Sequence, residues 1–248
     1  MSAQAFLIAS NILFYWLAFL VSVWIGNFIT SFYYRIPRGI ALNGMQNPPM
    51  CSGCGIRLKY PDYGPLYYYL FKAKNCKACG AGIPGIYCLI ELFIGLTIML
   101  NFLLNGISEL SVAEGFAIAF LFLILFIDVS HKQVYEKSLV FLLVCMLVRG
   151  FYLHGTEQFA YQTIVSGMII CILATAFLPK GTAIGYRRFF YILAIGFNKV
   201  DAIAINLICF ALYFVVRLVY KNQTQPIFVR HITPVSGACV LAILNILI

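Results

Sequence analysis

No charged side chain occurs before Arg35. The stretch from Ala5 to Ile29 can therefore run uncharged through a bilayer, which needs roughly 20 apolar residues. Met1 to Ala5 lacks the basic group that opens a cleaved signal peptide, so this segment is expected to stay as a membrane helix. Comparable runs follow at about Ile86 to Leu104, Val112 to Ile127, Ser138 to Leu153 and Thr163 to Leu178. Phe189 to Phe197, Ala202 to Val216 and Ile232 to Ile248 bring the set to eight. At 62% hydrophobic and 10% charged residues, with a mean hydropathy of +0.93, no ordinary solvated surface can be built, and a soluble enzyme is excluded. The sixth run is short: nine or ten helical residues rise only about 15 Å against roughly 30 Å of hydrocarbon. It must be extended, thin the bilayer, or re-enter.

Charge placement arbitrates, because Lys and Arg collect in short cytoplasmic loops. The segment from Arg35 to Lys77 holds seven of the seventeen basic residues. Alternate loops continue the pattern with Lys132 and Lys137, then Lys180, Arg187 and Arg188, then Arg217, Lys221 and Arg230. The intervening loops, near residues 105–111 and 154–160, hold none, and the turn at 198–201 holds only Lys199. The expectation is an all-α membrane protein of about eight transmembrane helices, with both termini outside. Residues 1–34 form the first helix, 35–85 a cytoplasmic insert and 86–248 a polytopic domain. The net charge of +9 is explained by this topology and calls for no nucleic acid.

Inside the insert, Cys51-Ser-Gly-Cys54 is answered by Cys76-Lys-Ala-Cys79 after twenty-one residues. Two CxxC pairs can each offer two sulfurs to one edge of a tetrahedron, the form of a structural zinc site of the zinc-ribbon kind. Two disulfides or four unrelated thiols are the alternatives, but a cytoplasmic, reducing location disfavours disulfides and favours metal thiolates. The other five cysteines, Cys88, Cys145, Cys171, Cys209 and Cys239, fall in apolar runs as small core or lipid-facing residues.

Other polar groups mark the helix ends. Tyr33-Tyr-Arg35-Ile-Pro37 closes the first run, where Arg35 and the tyrosines read as an interfacial anchor. Glu91 lies about one turn into the second run, so it should face protein and find a basic or hydrogen-bonding partner. Asp128 ends the third run, with His131 and Glu136 just beyond. No span shows the cluster of intramembrane ionisable residues that marks a transport path.

Taken in order, Gly-x-Phe, Tyr-Arg-Ile-Pro, CxxC, Tyr-x-Asp-x-x-Pro-Leu, a second CxxC and Tyr-x-x-x-Glu resemble the bacterial type IV prepilin peptidases. These are polytopic aspartic peptidases that cut the leader from prepilins and pseudopilins and methylate the new N-terminus. The resemblance is densest over residues 26–92, and Ile232-Thr-Pro-Val-Ser-Gly resembles the family's Pro-x-Gly-Pro final helix. It implies location in the bacterial inner membrane, S-adenosylmethionine as methyl donor, and a prepilin leader with its N-terminal helix as partner.

The family cuts with two aspartates that share a proton, one acting as base toward water and the other as acid toward the carbonyl. Phe126-Ile-Asp-Val-Ser-His131 resembles the first, making Asp128 the catalytic candidate. The second belongs to Gly-x-Gly-Asp-x-Lys, for which the similar stretch here is Gly185 to Gly196. Matching the outer glycines puts Arg188 at the aspartate, and matching Gly185 to the inner glycine puts Tyr186 there. Neither register supplies a carboxylate, and Glu136 is the best remaining acid. Three functions follow: a peptidase with an atypical second acid; a non-cleaving relative that binds pilin-like helices; and, outside the family, a transporter component with a zinc knuckle.

Overall fold

A computed structural model describes residues 3–42, 51, 53–56, 70, 75–82, 84–153, 184–197, 204–205, 208, 211 and 233–247. Among these the protein is helical, apart from an isolated antiparallel bridge between Asn75 and Gly82. Six helices are named here: α1 (Ala3–Arg35), α2 (Gly85–Asn105), α3 (Glu109–His131), α4 (136–153), α5 (Ile184–Gly196) and α6 (Pro234–Leu247). The chain divides into two compact units, Met1–Gly106 and Ile107–Ile248.

Among the described residues, three helices are long and apolar enough to cross a membrane: Ser10–Arg35, Gly85–Asn105 and Glu109–His131. The apolar stretch Val235–Leu247 is shorter. The expected runs at 163–178 and, apart from residues 204, 205, 208 and 211, at 202–216 lie outside the described residues. The short sixth run is extended backwards, because α5 starts at Ile184 rather than Phe189. Its 13 residues still rise only about 20 Å.

In the first unit, α1 packs on α2 through small residues. Ser22, Gly26, Ile29 and Thr30 are buried on one face of α1, at helical spacing. On α2, which packs against α1, the buried residues include Ile90, Glu91, Ile94, Gly95 and Ile98. A Cβ on Gly26 would stand 2.9 Å from Glu91 Cα, and one on Gly95 would stand 2.7 Å from Val23 Cγ2. Small residues at such crossings let membrane helices approach at backbone distance. The opposite face of α1, with Trp16, Leu20 and Trp24, is exposed.

Helix α1 ends at Arg35, two residues before Pro37, and the chain turns through Gly39 at φ 67°. The Ile40 N–H returns to the Arg35 carbonyl at 3.1 Å. Arg35 is itself buried rather than spread at an interface; Arg38 is the exposed cation here, lying 4.1 Å over the Tyr34 ring.

The second unit has two ends. α3 is capped at its start by Ser108, whose hydroxyl accepts from the Ser111 N–H at 3.1 Å. It ends at Lys132, whose φ of 55° is left-handed and whose N–H closes on the Asp128 carbonyl at 2.8 Å. At that end α4, α5 and α6 all begin, because Glu136 meets Arg188, Tyr186 meets Asp128 and Thr233 meets Asp128. At the other end Glu109 and Glu114 of α3 meet Tyr152 and Arg149 of α4. Three helices therefore run antiparallel to α3.

Candidate functional site

The four cysteines come together. Cys51 Sγ and Cys79 Sγ are 3.8 Å apart, Cys54 Sγ and Cys76 Sγ are 4.0 Å apart, and all four sulfurs lie within 4.8 Å of one another. A tetrahedron of thiolates about 2.3 Å from a zinc ion has edges of about 3.8 Å, so the set fits that ion. These cysteines form no disulfides.

Each pair is shaped by its backbone in the same way. In the first turn the Gly55 N–H reaches the Cys51 carbonyl at 2.9 Å, and the Cys51 N–H reaches the Ile56 carbonyl at 2.9 Å. In the second, Gly80 N–H to Cys76 carbonyl is 2.8 Å and Cys76 N–H to Ala81 carbonyl is 2.7 Å. Gly55 and Gly80 both sit at positive φ, 70° and 71°, which a side chain disfavours. The motif is thus CxxC-Gly twice, and the two glycines were visible in the sequence as a repeated fifth position. The Gly53 N–H points at Cys51 Sγ at 3.4 Å, and the Ala81 N–H at Cys79 Sγ at 3.5 Å.

Backbone N–H groups of Cys54 and Gly53 draw the Cys51 thiol down to about 7 from an ordinary 9.0. Cys79 goes the other way: the Ala81 N–H pulls it down, but sulfurs of Cys54, Cys51 and Cys76 crowd it and raise it to about 12. Four clustered sulfurs cannot all ionise beside one another without a cation, and a divalent metal supplies that cation.

In the second unit, Asp128 is fully buried in the last turn of α3. Both of its oxygens receive hydroxyls. Tyr186 Oη, from the first turn of α5, donates to Oδ1 at 2.8 Å and also lies 3.1 Å from the Lys132 carbonyl. Thr233 Oγ1, just before α6, donates to Oδ2. Thr233 is held by a reciprocal cap: its N–H donates to Ser236 Oγ at 2.9 Å, and the Ser236 N–H donates back to Thr233 Oγ1 at 3.1 Å. Pro234, lacking an N–H, occupies the first helical position, where none is needed.

The start of α5 is brought in by Gly185. A Cβ there would stand 2.5 Å from the Val134 carbonyl oxygen, so no larger residue fits the close approach. That contact places Tyr186, not Arg188, on Asp128. Arg188 is exposed and pairs with Glu136, an arrangement worth ~0–1 kcal/mol between exposed groups. Burial lowers the Lys132 ammonium below its ordinary range, and the Asp128 charge opposes that shift.

Of the remaining candidates, Glu91 is buried against protein, beside the Gly26 contact. Glu114 and Arg149 were not singled out in the sequence, although an acid and a base stand in consecutive apolar runs. They form a buried ion pair, Nε to Oε1 at 3.1 Å. The described spans therefore do hold paired ionisable groups. Asp201 lies outside the described residues.

The first unit defines a class: a helical membrane protein with a four-cysteine cluster in the segment between its first two apolar helices. Residues 20–104 match the family described as Bacterial Peptidase A24 N-terminal domain. A stretch of 79 residues is 33% identical to the prepilin leader peptidase/N-methyltransferase of Vibrio cholerae serotype O1 (strain ATCC 39315 / El Tor Inaba N16961), and covers 29% of this chain. This N-terminal stretch is thus similar to the type IV prepilin peptidase family and supports a relationship to it. The chain spans 31% of the length of that relative. No solved structure matches it.

Proposed function

We propose that this protein is a member of the prepilin peptidase family that binds prepilin or pseudopilin leaders and their N-terminal helices in the lipid bilayer, with leader cleavage lost or strongly impaired. The observation that carries the reading is the 2.8 Å hydrogen bond from Tyr186 to Asp128. Hydrolysis by paired aspartates needs one ionised and one protonated carboxyl close enough to share a proton. A phenol, ordinarily near 10 against about 4 for a carboxyl, is too poorly matched to share one proton evenly with Asp128 or to alternate between the acid and base roles. With hydroxyls on both oxygens, Asp128 is held as a hydrogen-bonded structural carboxylate.

In this reading the protein lies in the bacterial inner membrane with both termini outside and the cysteine insert in the cytoplasm. Cys51, Cys54, Cys76 and Cys79 hold a zinc ion, which neutralises the thiolates and fixes the insert. The family relationship favours a second reading, in which Asp128 cleaves leaders with an atypical partner and S-adenosylmethionine serves methylation of the product.

The deciding experiment supplies a cognate prepilin in membranes where this protein is the sole candidate peptidase, and follows leader removal and N-methylation by mass spectrometry. No processing is expected from the wild type. Tyr186→Asp, which restores a second carboxyl at the observed contact, is expected to give cleavage, and Arg188→Asp is not. Wild-type processing that disappears with Asp128→Ala overturns the proposal and establishes the second reading.

A further inference from the structure

Arg149, in the second half of α4, is almost fully buried and holds three groups at once. Its Nε donates to Glu114 Oε1 at 3.1 Å, its Nη1 donates to the Gly196 carbonyl, and its guanidinium lies 4.7 Å from the centre of the Phe197 ring. Glu114 stands fourteen residues before Asp128 on α3, about 21 Å along the axis. Gly196 stands ten residues after Tyr186 on α5, about 15 Å along its axis. The cluster is therefore at the end of the unit away from Asp128, joined to it by two helices.

An ionisable pair inside an apolar helical unit is costly, and apolar side chains of similar volume would fill the same space. The placement calls for something only a guanidinium does. The last carbonyls of a helix have no N–H partner within it. Arg149 supplies one at Gly196, the last residue of α5, and anchors that donor through Glu114 to α3. The glycines of α5 work differently. A Cβ on Gly196 would stand 2.2 Å from Met146 Sδ, and one on Gly185 would stand 2.5 Å from the Val134 carbonyl. These contacts permit close approach and limit it, but they are not directional along the helix axis. The Arg149 hydrogen bond is.

We propose that Arg149 is a positioning residue for the Asp128 site: by tying the C-terminal end of α5 to Glu114, it sets the axial register that lays Tyr186 on Asp128. The geometry alone carries this, whether or not leaders are cleaved. The ion pair and the Tyr186 contact are thus two ends of one device.

The test uses the full chain in lipid nanodiscs with 3-fluorotyrosine incorporated at position 186, read by fluorine NMR. The Asp128→Ala form provides the reference shift for a phenol released from its carboxylate. Arg149→Gln is expected to move the signal toward that reference while helix content is retained. Arg149→Lys keeps a cation for Glu114 but lacks the planar fork that also grips the carbonyl, and is expected to move it in the same direction. Glu114→Gln leaves the Gly196 contact available and is expected to move it less. An Arg149→Lys signal at the wild-type position, in folded protein, overturns the proposal even where Arg149→Gln fails to fold.

Discussion

Tyr186 Oη lies 2.8 Å from Asp128 Oδ1, joining the first turn of α5 to the last turn of α3 across 58 residues of chain. With Thr233 on the other oxygen, three helix ends converge on one carboxylate. The N-termini of α5 and α6 bring positive dipole ends to that carboxylate, opposing the negative C-terminal end of α3 on which it sits. Asp128 is thereby a junction of the second unit, irrespective of any chemistry it performs.

Tyr186→Phe keeps the ring and removes the hydroxyl that serves both Asp128 and the Lys132 carbonyl. Leaving a buried carboxylate oxygen one donor short costs about 1–3 kcal/mol. Thermal unfolding in detergent should show a lower midpoint for Tyr186→Phe than for Tyr191→Phe, whose ring is exposed on the same helix. Equal midpoints would mean that the junction contributes nothing to stability.

Thr233→Val is nearly isosteric and removes two contacts at once, the donor to Asp128 and the acceptor for the Ser236 N–H. Loss of an N-cap costs about 0.5–2 kcal/mol, and the orphaned carboxylate oxygen adds to it. Hydrogen exchange should rise at the first turn of α6 more than at its end. Thr233→Ser, which retains the hydroxyl, should restore protection.

Two of the expected helices were legible because long apolar runs stand out in hydropathy; the runs from Ile86 and Val112 became α2 and α3 with ends moved by one to four residues. The CxxC pairs were legible because a two-residue spacing sets two sulfurs on one side of a tight turn whatever the surrounding fold. The partner of Asp128 was not legible. Two registers fitted the glycines of α5 equally well in sequence, and it takes the folded packing, with Gly185 against Val134 and Tyr186 bonded to Asp128, to separate Tyr186 from Arg188. Arg149 was passed over because hydropathy averages a single charge away, while its pairing with Glu114 depends on two helices running antiparallel.

Zinc content near one ion per chain is the expected result for purified protein, and Cys51→Ser or Cys76→Ser should lower it sharply. Thiols must lose protons to bind, so affinity should tighten as pH rises. Cys51 is drawn down to about 7 and Cys79 pushed up to about 12, so the clustered thiols still carry protons near neutral pH that a metal must displace. Competition with a chromophoric chelator at pH 6 and pH 8 should show tighter binding at pH 8. An affinity independent of pH would argue against thiolate ligands.

Gly26→Ala tests how close α1 and α2 must be. The new methyl would stand 2.9 Å from Glu91 Cα and 3.2 Å from the Glu91 carbonyl oxygen, and backbone cannot rotate aside as a side chain can. The helices must separate there, loosening the burial of neighbours such as Ile29 and Thr30 on α1 and Ile90 and Ile94 on α2. Overpacking of this kind costs about 1–3 kcal/mol. Gly39→Ala is the contrasting variant, since nothing lies within 4 Å and only its φ of +67° resists the change. A cysteine pair placed across α1 and α2 should cross-link more slowly in Gly26→Ala than in the parent or in Gly39→Ala. An unchanged rate would show that the Gly26 crossing has slack the geometry denies.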